Sequence, residues 1–450
     1  MSELLRQHLG SKLVDSLNTP SSVLRNMSLL PQKWNKYFNI RDDVEISSGT
    51  YRIYRRGVEG PLLFFIHGGG FSALSWSLLS KAITEDVRCQ CLAVDMRGHG
   101  DTNCNDLSDY SIDTLANDIV QIIFAMFPTE APPIILIGHS MGGAVAVHVA
   151  QKRAIPSFAG LVVIDVVEGT AIESLHSMTT FLCNRPQSFH SLTDAIAWSV
   201  KSGTIRNAES ACVSFPGQLK RMSTGESATQ ELEKGTAIIG VSSFPTSTSP
   251  SGSSSGKTSS VHSLCGVSEE EGEDEHLEDK LEDPNPTNHP LPPINRGNGE
   301  LKPSHTCSLA SNRILVASHH LPPSGTSETH SQPCVSTSAA PAHSTTVTSS
   351  KSGDGYTWRI DLLTTEPFWR DWFNNMSSLF LSVPEPKLLL IAGVERLDKE
   401  LTIGQMQGKF QLKILPRAGH AIHEDSPDEV ASCLAQFLLR NQFTVARPNL

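Results

Sequence analysis

Residues 133–143 read Pro-Ile-Ile-Leu-Ile-Gly-His-Ser-Met-Gly-Gly, an apolar run that enters Gly-x-Ser-x-Gly and leaves into a helix-forming segment. A serine there is suited to nucleophilic attack. The strand-to-helix turn is sharp enough to thrust Ser140 clear of the sheet edge, and a side chain at Gly138 or Gly142 would collide with neighbouring backbone. Because a serine hydroxyl attacks poorly at neutral pH, it needs a base, a carboxylate to orient the base, and donors for the oxyanion. His67-Gly68-Gly69-Gly70 follows the apolar run 61–66, and its unobstructed amides suit the oxyanion. His420, in Arg417-Ala418-Gly419-His420 after the runs 387–392 and 410–415, suits the base. Two carboxylates compete for the third role: Asp165 ends the run 161–164, and Asp398 follows the strand nearer the histidine. Position slightly favours Asp398, since a carboxylate after that later strand is the commoner plan, and Asp165 stays open. His423 is assigned to a helix start or to the surface. The string His423-Glu424-Asp425 lacks metal-ligand spacing, so no metal is expected.

The elements that must position these groups follow from hydrophobic period. Residues 44–47 and 51–55 alternate like a starting hairpin, and the run 89–94 ends in Asp95-Met96-Arg97-Gly98-His99-Gly100. Asp95, Arg97 and His99 are read as structural loop residues beside the cleft. Helical spacing covers 112–127, 141–151 and 427–439, the last with Asp425 or Ser426 placed to cap it. Strands alternating with helices imply an α/β fold with a mostly parallel sheet covered on both faces. The chain order of donor loop, serine, carboxylate and histidine is the one the α/β-hydrolase arrangement requires. Residues 175–182, 192–200 and 208–219 have helical period, and 358–381 adds Trp358, Phe368, Trp369, Trp372 and Phe373; together they read as a helical cap over the strand ends. Most of these aromatics are expected to pack the cap onto the sheet.

Seven runs are more specific than Gly-x-Ser-x-Gly: HGGGFSALSW (67–76), IGHSMGGAVAVH (137–148), IDVVEGTA (164–171), WSVKSGTIRN (198–207), YTWRI (356–360), LTIGQMQGKFQ (401–411) and GHAIHED (419–425). On these the chain closely resembles the protein phosphatase methylesterase family, over residues 30–221 and 356–440. The resemblance implies a serine carboxylesterase that removes the methyl ester from the C-terminal leucine of the protein phosphatase 2A catalytic subunit, with that subunit and its core or holoenzyme assemblies as partners. Carried over, it puts the nucleophile on Ser140, the acid on Asp165 rather than Asp398, and the base on His420. The oxyanion then falls to the amides of Met141 and Gly69. No cofactor is implied. The other readings are a general small-ester hydrolase, or a non-catalytic inhibitor that docks on the phosphatase.

The resulting organisation is a flexible segment 1–29, the first part of the hydrolase core 30–166, a cap 167–221, an insertion 222–355, the second part of the cap 356–382, the second part of the core 383–442 and a tail 443–450. Ser, Thr, Pro, Gly and acidic residues dominate the insertion, leaving too few apolar groups to offset folding entropy, so it is expected to be disordered. Residues 269–283 hold ten acids against one lysine, a net of nine of the chain's eleven negative charges. The rest is therefore nearly neutral, which disfavours nucleic-acid binding. The nine cysteines form no Cys-x-x-Cys pair and read as reduced thiols. With no signal-like start and no run of about eighteen apolar residues, the expectation is a protein of the cytoplasm or nucleus rather than of a membrane.

Overall fold

A computed structural model describes residues 29–240 and 354–447, all within one folded unit of the chain. The expectations for the acidic run and for most of the insertion lie outside the described residues.

The core is a sheet whose strands are β1 (Ile40–Ile46), β2 (Gly49–Arg56), β3 (Leu62–Ile66), β4 (Gln90–Val94), β5 (Ile134–His139), β6 (Phe158–Ile164), β7 (Lys387–Ile391) and β8 (Gln411–Ile414). Their order across the sheet is β1-β2-β4-β3-β5-β6-β7-β8, with the two-residue strand Asn103–Cys104 also paired to β2. β2 runs antiparallel to β1 and β4, and every later pairing is parallel. Three of the strands that read as apolar runs, β3, β5 and β7, are buried at every residue, as strands covered on both faces must be, whereas β8 is partly exposed.

Successive side chains of these strands feed two separate cores. Phe64, Ile66, Leu136, Leu389 and Ile391 pack on one face, against α2 (Ile112–Met126) and α3 (Met141–Lys152). Leu63, Phe65, Ile135, Ile137, Leu388 and Leu390 pack on the other, against α1 (Ser77–Asp86) and α12 (Pro427–Arg440). The predicted helices at 112–127, 141–151 and 427–439 thus form, within a residue or so of each expected end. The cap for α12 does not: Ser426 accepts no capping bond, and the Asp425 carboxylate instead accepts from the Arg206 and Gly419 amides at 2.7 Å each.

Over the carboxyl ends of the strands lie α4 (Glu168–Asn184), α5 (Leu192–Lys201), α6 (Ala208–Ser214), α7 (Ala228–Lys234), α8 (Glu366–Phe373) and α9 (Met376–Ser382). A small antiparallel sheet joins the two cap segments, with Tyr356–Trp358 between Ser188–Phe189 and Leu219–Arg221. Glu168 ties α4 to α9 by accepting from the Asn375 and Ser377 amides, and the Trp372 indole donates to the Tyr110 carbonyl at 2.7 Å.

Folded structure continues to residue 240, further than the polar composition after 221 indicates. Helix α7 buries Ala228 and Leu232 in the cap. Its Glu231 accepts from the Arg221 guanidinium and from the Tyr356 hydroxyl, both at 2.7 Å. Polar groups that read as a solvated segment are consumed here by one another, which removes the penalty of burying them.

Candidate active site

Ser140 sits between β5 and α3 with φ 51° and ψ −122°. The left-handed strain of the turn falls on the serine itself, at a cost of about 1–3 kcal/mol. The flanking glycines allow the chain to pass: a Cβ on Gly138 would stand 2.0 Å from the Gly142 carbonyl oxygen, and one on Gly142 2.2 Å from that of Ile66. The Ser140 amide donates to the Ile164 carbonyl, which pins the turn to the end of β6.

Asp165 follows β6 directly, also at positive φ (52°), with its amide donating to the Leu390 carbonyl of β7. Its side chain is fully buried. Oδ2 accepts from His420 Nδ1 at 2.8 Å and pairs with the Arg396 guanidinium, while Oδ1 accepts from the Ala392 amide at 3.0 Å. Burial opposes ionisation, yet the His420 hydrogen bond, that histidine's charge, the Arg396 guanidinium and the Ala392 amide hold the carboxyl below its usual range. Asp398 lies elsewhere: it caps α10 (Lys399–Met406) through the Leu401 amide at 2.8 Å and accepts from the Ser377 hydroxyl. The segment after β7 therefore supplies a cation and an amide to Asp165, and its own carboxylate to a helix.

His420 is half exposed, with its side chain 51% accessible, so its Nε2 edge is within reach of a substrate. Its loop is pinned from several sides. His139 Nε2 donates to the His420 carbonyl at 2.9 Å, Asp425 accepts from the Gly419 amide, and the Arg206 guanidinium donates to the Arg417 carbonyl at 2.9 Å. Among the described hydrogen bonds none joins Ser140 to His420, although both open onto the same cavity.

The loop after β3 is scaffolded by two neutral histidines. His67 donates through Nδ1 to the Gly68 carbonyl and accepts through Nε2 from the Met96 amide. His99 donates through Nδ1 to the Arg97 carbonyl and accepts at Nε2 from the Gly70 amide at 2.9 Å. Burial pushes His99 down to about 4 and holds His67 well below its ordinary value. This leaves the Gly69 and Met141 amides without a protein acceptor among the described hydrogen bonds. Asp95 holds the next turn by accepting from the Ala73 and Asp101 amides, and Arg97 forms a buried two-point pair with Asp118. All three of Asp95, Arg97 and His99 thus brace loops.

His423 is at a helix start, as one of its two readings had it, and not on the surface. It lies in α11 (Ile422–Asp425), fully buried, its ring centroid 4.1 Å from that of Trp76 and 4.5 Å from that of His139. Packing of α11 against Trp76 decides this, and the local sequence carries no sign of it. The sequence does not single out His139 or Arg396, and offers Asp425 only as a helix cap. Their partners are distant in the chain, save that Asp425 also takes the nearby Gly419 amide; His139 and His420 stand 281 positions apart.

The cavity measures about 350 Å³ and is mainly apolar. Gly69, Met141, Ser140 and His420 form its floor, and Met178, Leu182, Trp198, Trp358 and Trp369 are among its cap walls. Trp369 and Trp372 line it while also packing in the core, so the cap aromatics do both jobs.

Residues 61–427 match the α/β-hydrolase fold family. The chain is 41% identical to "Protein phosphatase methylesterase 1" of Bos taurus, over 93% of this chain and 88% of the bovine one. Against the Homo sapiens protein of that name it is 41% identical over 93% of this chain and 87% of the human one. The Schizosaccharomyces pombe counterpart is 30% identical over 99% and 97%. Among solved structures, E-2-(acetamidomethylene)succinate hydrolase superposes with a TM-score of 0.51 at 14% identity, covering 89% of this chain and 98% of that one. That likeness concerns the fold.

Proposed function

Because the chain belongs to the protein phosphatase methylesterase family of α/β-hydrolases, we propose that it demethylates the C-terminal leucine methyl ester of the protein phosphatase 2A catalytic subunit. The observation that carries this reading is the opening of Ser140 and the Asp165-bonded His420 onto one apolar cavity bordered by two unused amides.

In the proposed reaction Ser140 Oγ bonds to the ester carbonyl carbon and its proton passes to His420 Nε2. Asp165 holds the opposite nitrogen, selecting the tautomer that leaves Nε2 to accept and stabilising the imidazolium. The Gly69 and Met141 N–H groups take the charge that develops on the carbonyl oxygen. The bond to methoxide breaks, His420 returns the proton, and methanol leaves. Water then adds to the acyl-enzyme, giving its proton to His420, and the leucine carboxylate departs as Ser140 is restored. The open Ser140–His420 gap is compatible with this sequence, since such contacts commonly tighten only when substrate is bound.

A methyl leaving group presents almost nothing to grip. Selection therefore rests on the acyl side, and the cap aromatics present an apolar surface suited to a leucine side chain.

The test is incubation of the protein, and of its Ser140→Ala form, with methylated phosphatase 2A core enzyme while the mass of the C-terminal peptide is followed. Loss of one methylene's mass with the wild type alone is expected. Binding by both forms without demethylation would leave a docking inhibitor, and neither binding nor demethylation would return the chain to general ester hydrolysis.

A further inference from the structure

Of the residues that line the cavity, Arg185 alone carries a permanent charge. It stands just past the C-terminus of α4, with its guanidinium 3.9 Å from the centre of the Trp358 ring. The Trp358 indole is itself fixed, donating to the Pro186 carbonyl at 2.7 Å. The cation thus lies over an immobilised ring, an arrangement that helps hold its planar fork in place at little further cost in entropy. Yet the fork is unused: no hydrogen bond or ion pair engages the Arg185 guanidinium among the described residues. The nearby carboxylate of Asp361 accepts instead from the Leu363 amide, which it caps at 3.1 Å. Burial holds the Arg185 side chain down to about 10, still protonated at neutral pH.

A second donor lies beside the same space. Gln218, 7% exposed, lines the cavity, and its side-chain Nε2 is buried without a partner. Its main chain is occupied elsewhere, with its carbonyl accepting from the Arg359 amide at 2.7 Å. A buried amide donor left empty is costly, and so is a guanidinium half-withdrawn from water that feels the nearby Asp361 charge but makes no ion pair with it. The residues lining the cavity therefore present these donors, and the Asp361 carboxylate is not among them.

We propose that Arg185 and Gln218 form an acyl-side subsite for an acidic peptide tail: Gln218 Nε2 donates to a main-chain carbonyl, and Arg185 pairs with a carboxylate side chain within a few residues of the esterified C-terminus. This rests on the esterase reading of the same cavity. It makes Arg185 a specificity-determining residue, because the methyl group cannot be selected and the leucine pocket accepts any apolar end of similar size.

The experiment uses C-terminal leucine methyl ester peptides carrying aspartate, asparagine or lysine at each of the three positions before the leucine, with hydrolysis followed by mass. Wild-type kcat/KM should favour aspartate over asparagine by about tenfold at one position, the scale of a charge-assisted hydrogen bond, and disfavour lysine there. Arg185→Glu should reverse the ranking of aspartate and lysine at that position, and Arg185→Lys should keep its sign while shrinking it. Equal turnover of all the peptides by the wild type overturns the inference even if Arg185→Glu fails to fold. So does an unchanged ranking in a folded Arg185→Glu. If methylated phosphatase 2A is demethylated but no peptide is, selection lies outside this subsite and the inference falls. If neither is demethylated, the failure belongs to the esterase reading.

Discussion

At the scale of single residues, two carboxylates that look interchangeable in the chain have different surroundings. Asp165 is buried against His420, Arg396 and the Ala392 amide, and Asp398 is spent on the first turn of α10 and on Ser377. Under the proposed mechanism Asp165→Asn should lower kcat on the order of 10⁴-fold by stabilising the wrong tautomer of His420. Asp398→Asn should change activity by less than about threefold, because asparagine caps a helix as well as aspartate does. Steady-state assays of the two variants decide between them, and the reverse ranking would move the acid to Asp398. Ser140→Ala should remove turnover while leaving the fold intact, as checked by circular dichroism and the mass assay together.

At the scale of elements, the loop after β3 is the part most exposed to failure. It carries the Gly69 amide, and its neighbour Gly70 is held by a single neutral imidazole nitrogen. His99→Ala would strand the Gly70 amide and is expected to lower stability by about 1–3 kcal/mol. In a variant that stays folded, kcat should fall more than KM rises, because donors to an oxyanion act in the transition state. The turn at Ser140 tolerates even less. Gly142→Ala places a methyl against two main-chain oxygens, those of Ile66 and His67 at 2.2 and 2.5 Å, and soluble expression compared with wild type should show the loss.

At the scale of the whole molecule, buried titratable groups set a pH window for stability. Burial holds His67, His99, His139, His148 and His423 below their ordinary 6.5, His99 at about 4. The unfolded chain protonates them near 6.5, so stability drains as pH falls from there towards 4. Three carboxyls act with the opposite sign: burial raises Asp425, raises Glu424 to about 8 and, with the Asp101 charge, raises Asp95 to about 7. The folded state keeps their protons while the unfolded chain releases them near 4, and the stability they contribute is lost as pH rises, through about 7 to 8 for Asp95 and Glu424. Five histidines outweigh three carboxyls below 6.5 and of these groups only the carboxyls act above it, so the melting temperature should peak near pH 6.5. Glu424→Gln should flatten the alkaline fall; melts that keep rising to pH 8.5 would contradict the assignment. Removing residues 241–353 and removing residues 222–353 should also differ. Only the longer deletion takes Glu231 from Arg221 and Tyr356, and it should melt several degrees lower, each 1 kcal/mol being worth about 2–4 °C in a domain of this size.

The sequence by itself determined what depends on neighbours in the chain. The apolar runs of β3, β5 and β7 had to be buried strands, the period of 112–127 and 427–439 had to be helix, and the glycines beside Ser140 had to be a sharp turn. It also carried the runs that mark the family. Tertiary structure alone decided which strand ends meet. Asp165 takes His420 because β6 lies beside β7 in the sheet, so that Leu390, Ala392 and Arg396 close around it, a relation that spacing along the chain does not encode. The same holds for His423, buried by Trp76; for His139, which clamps a loop 281 residues away; and for residues 222–240, whose charges read as solvated until Arg221 and Tyr356 arrive to pair with Glu231. Hydrophobic period reports which side of an element is buried, and only packing reports against what.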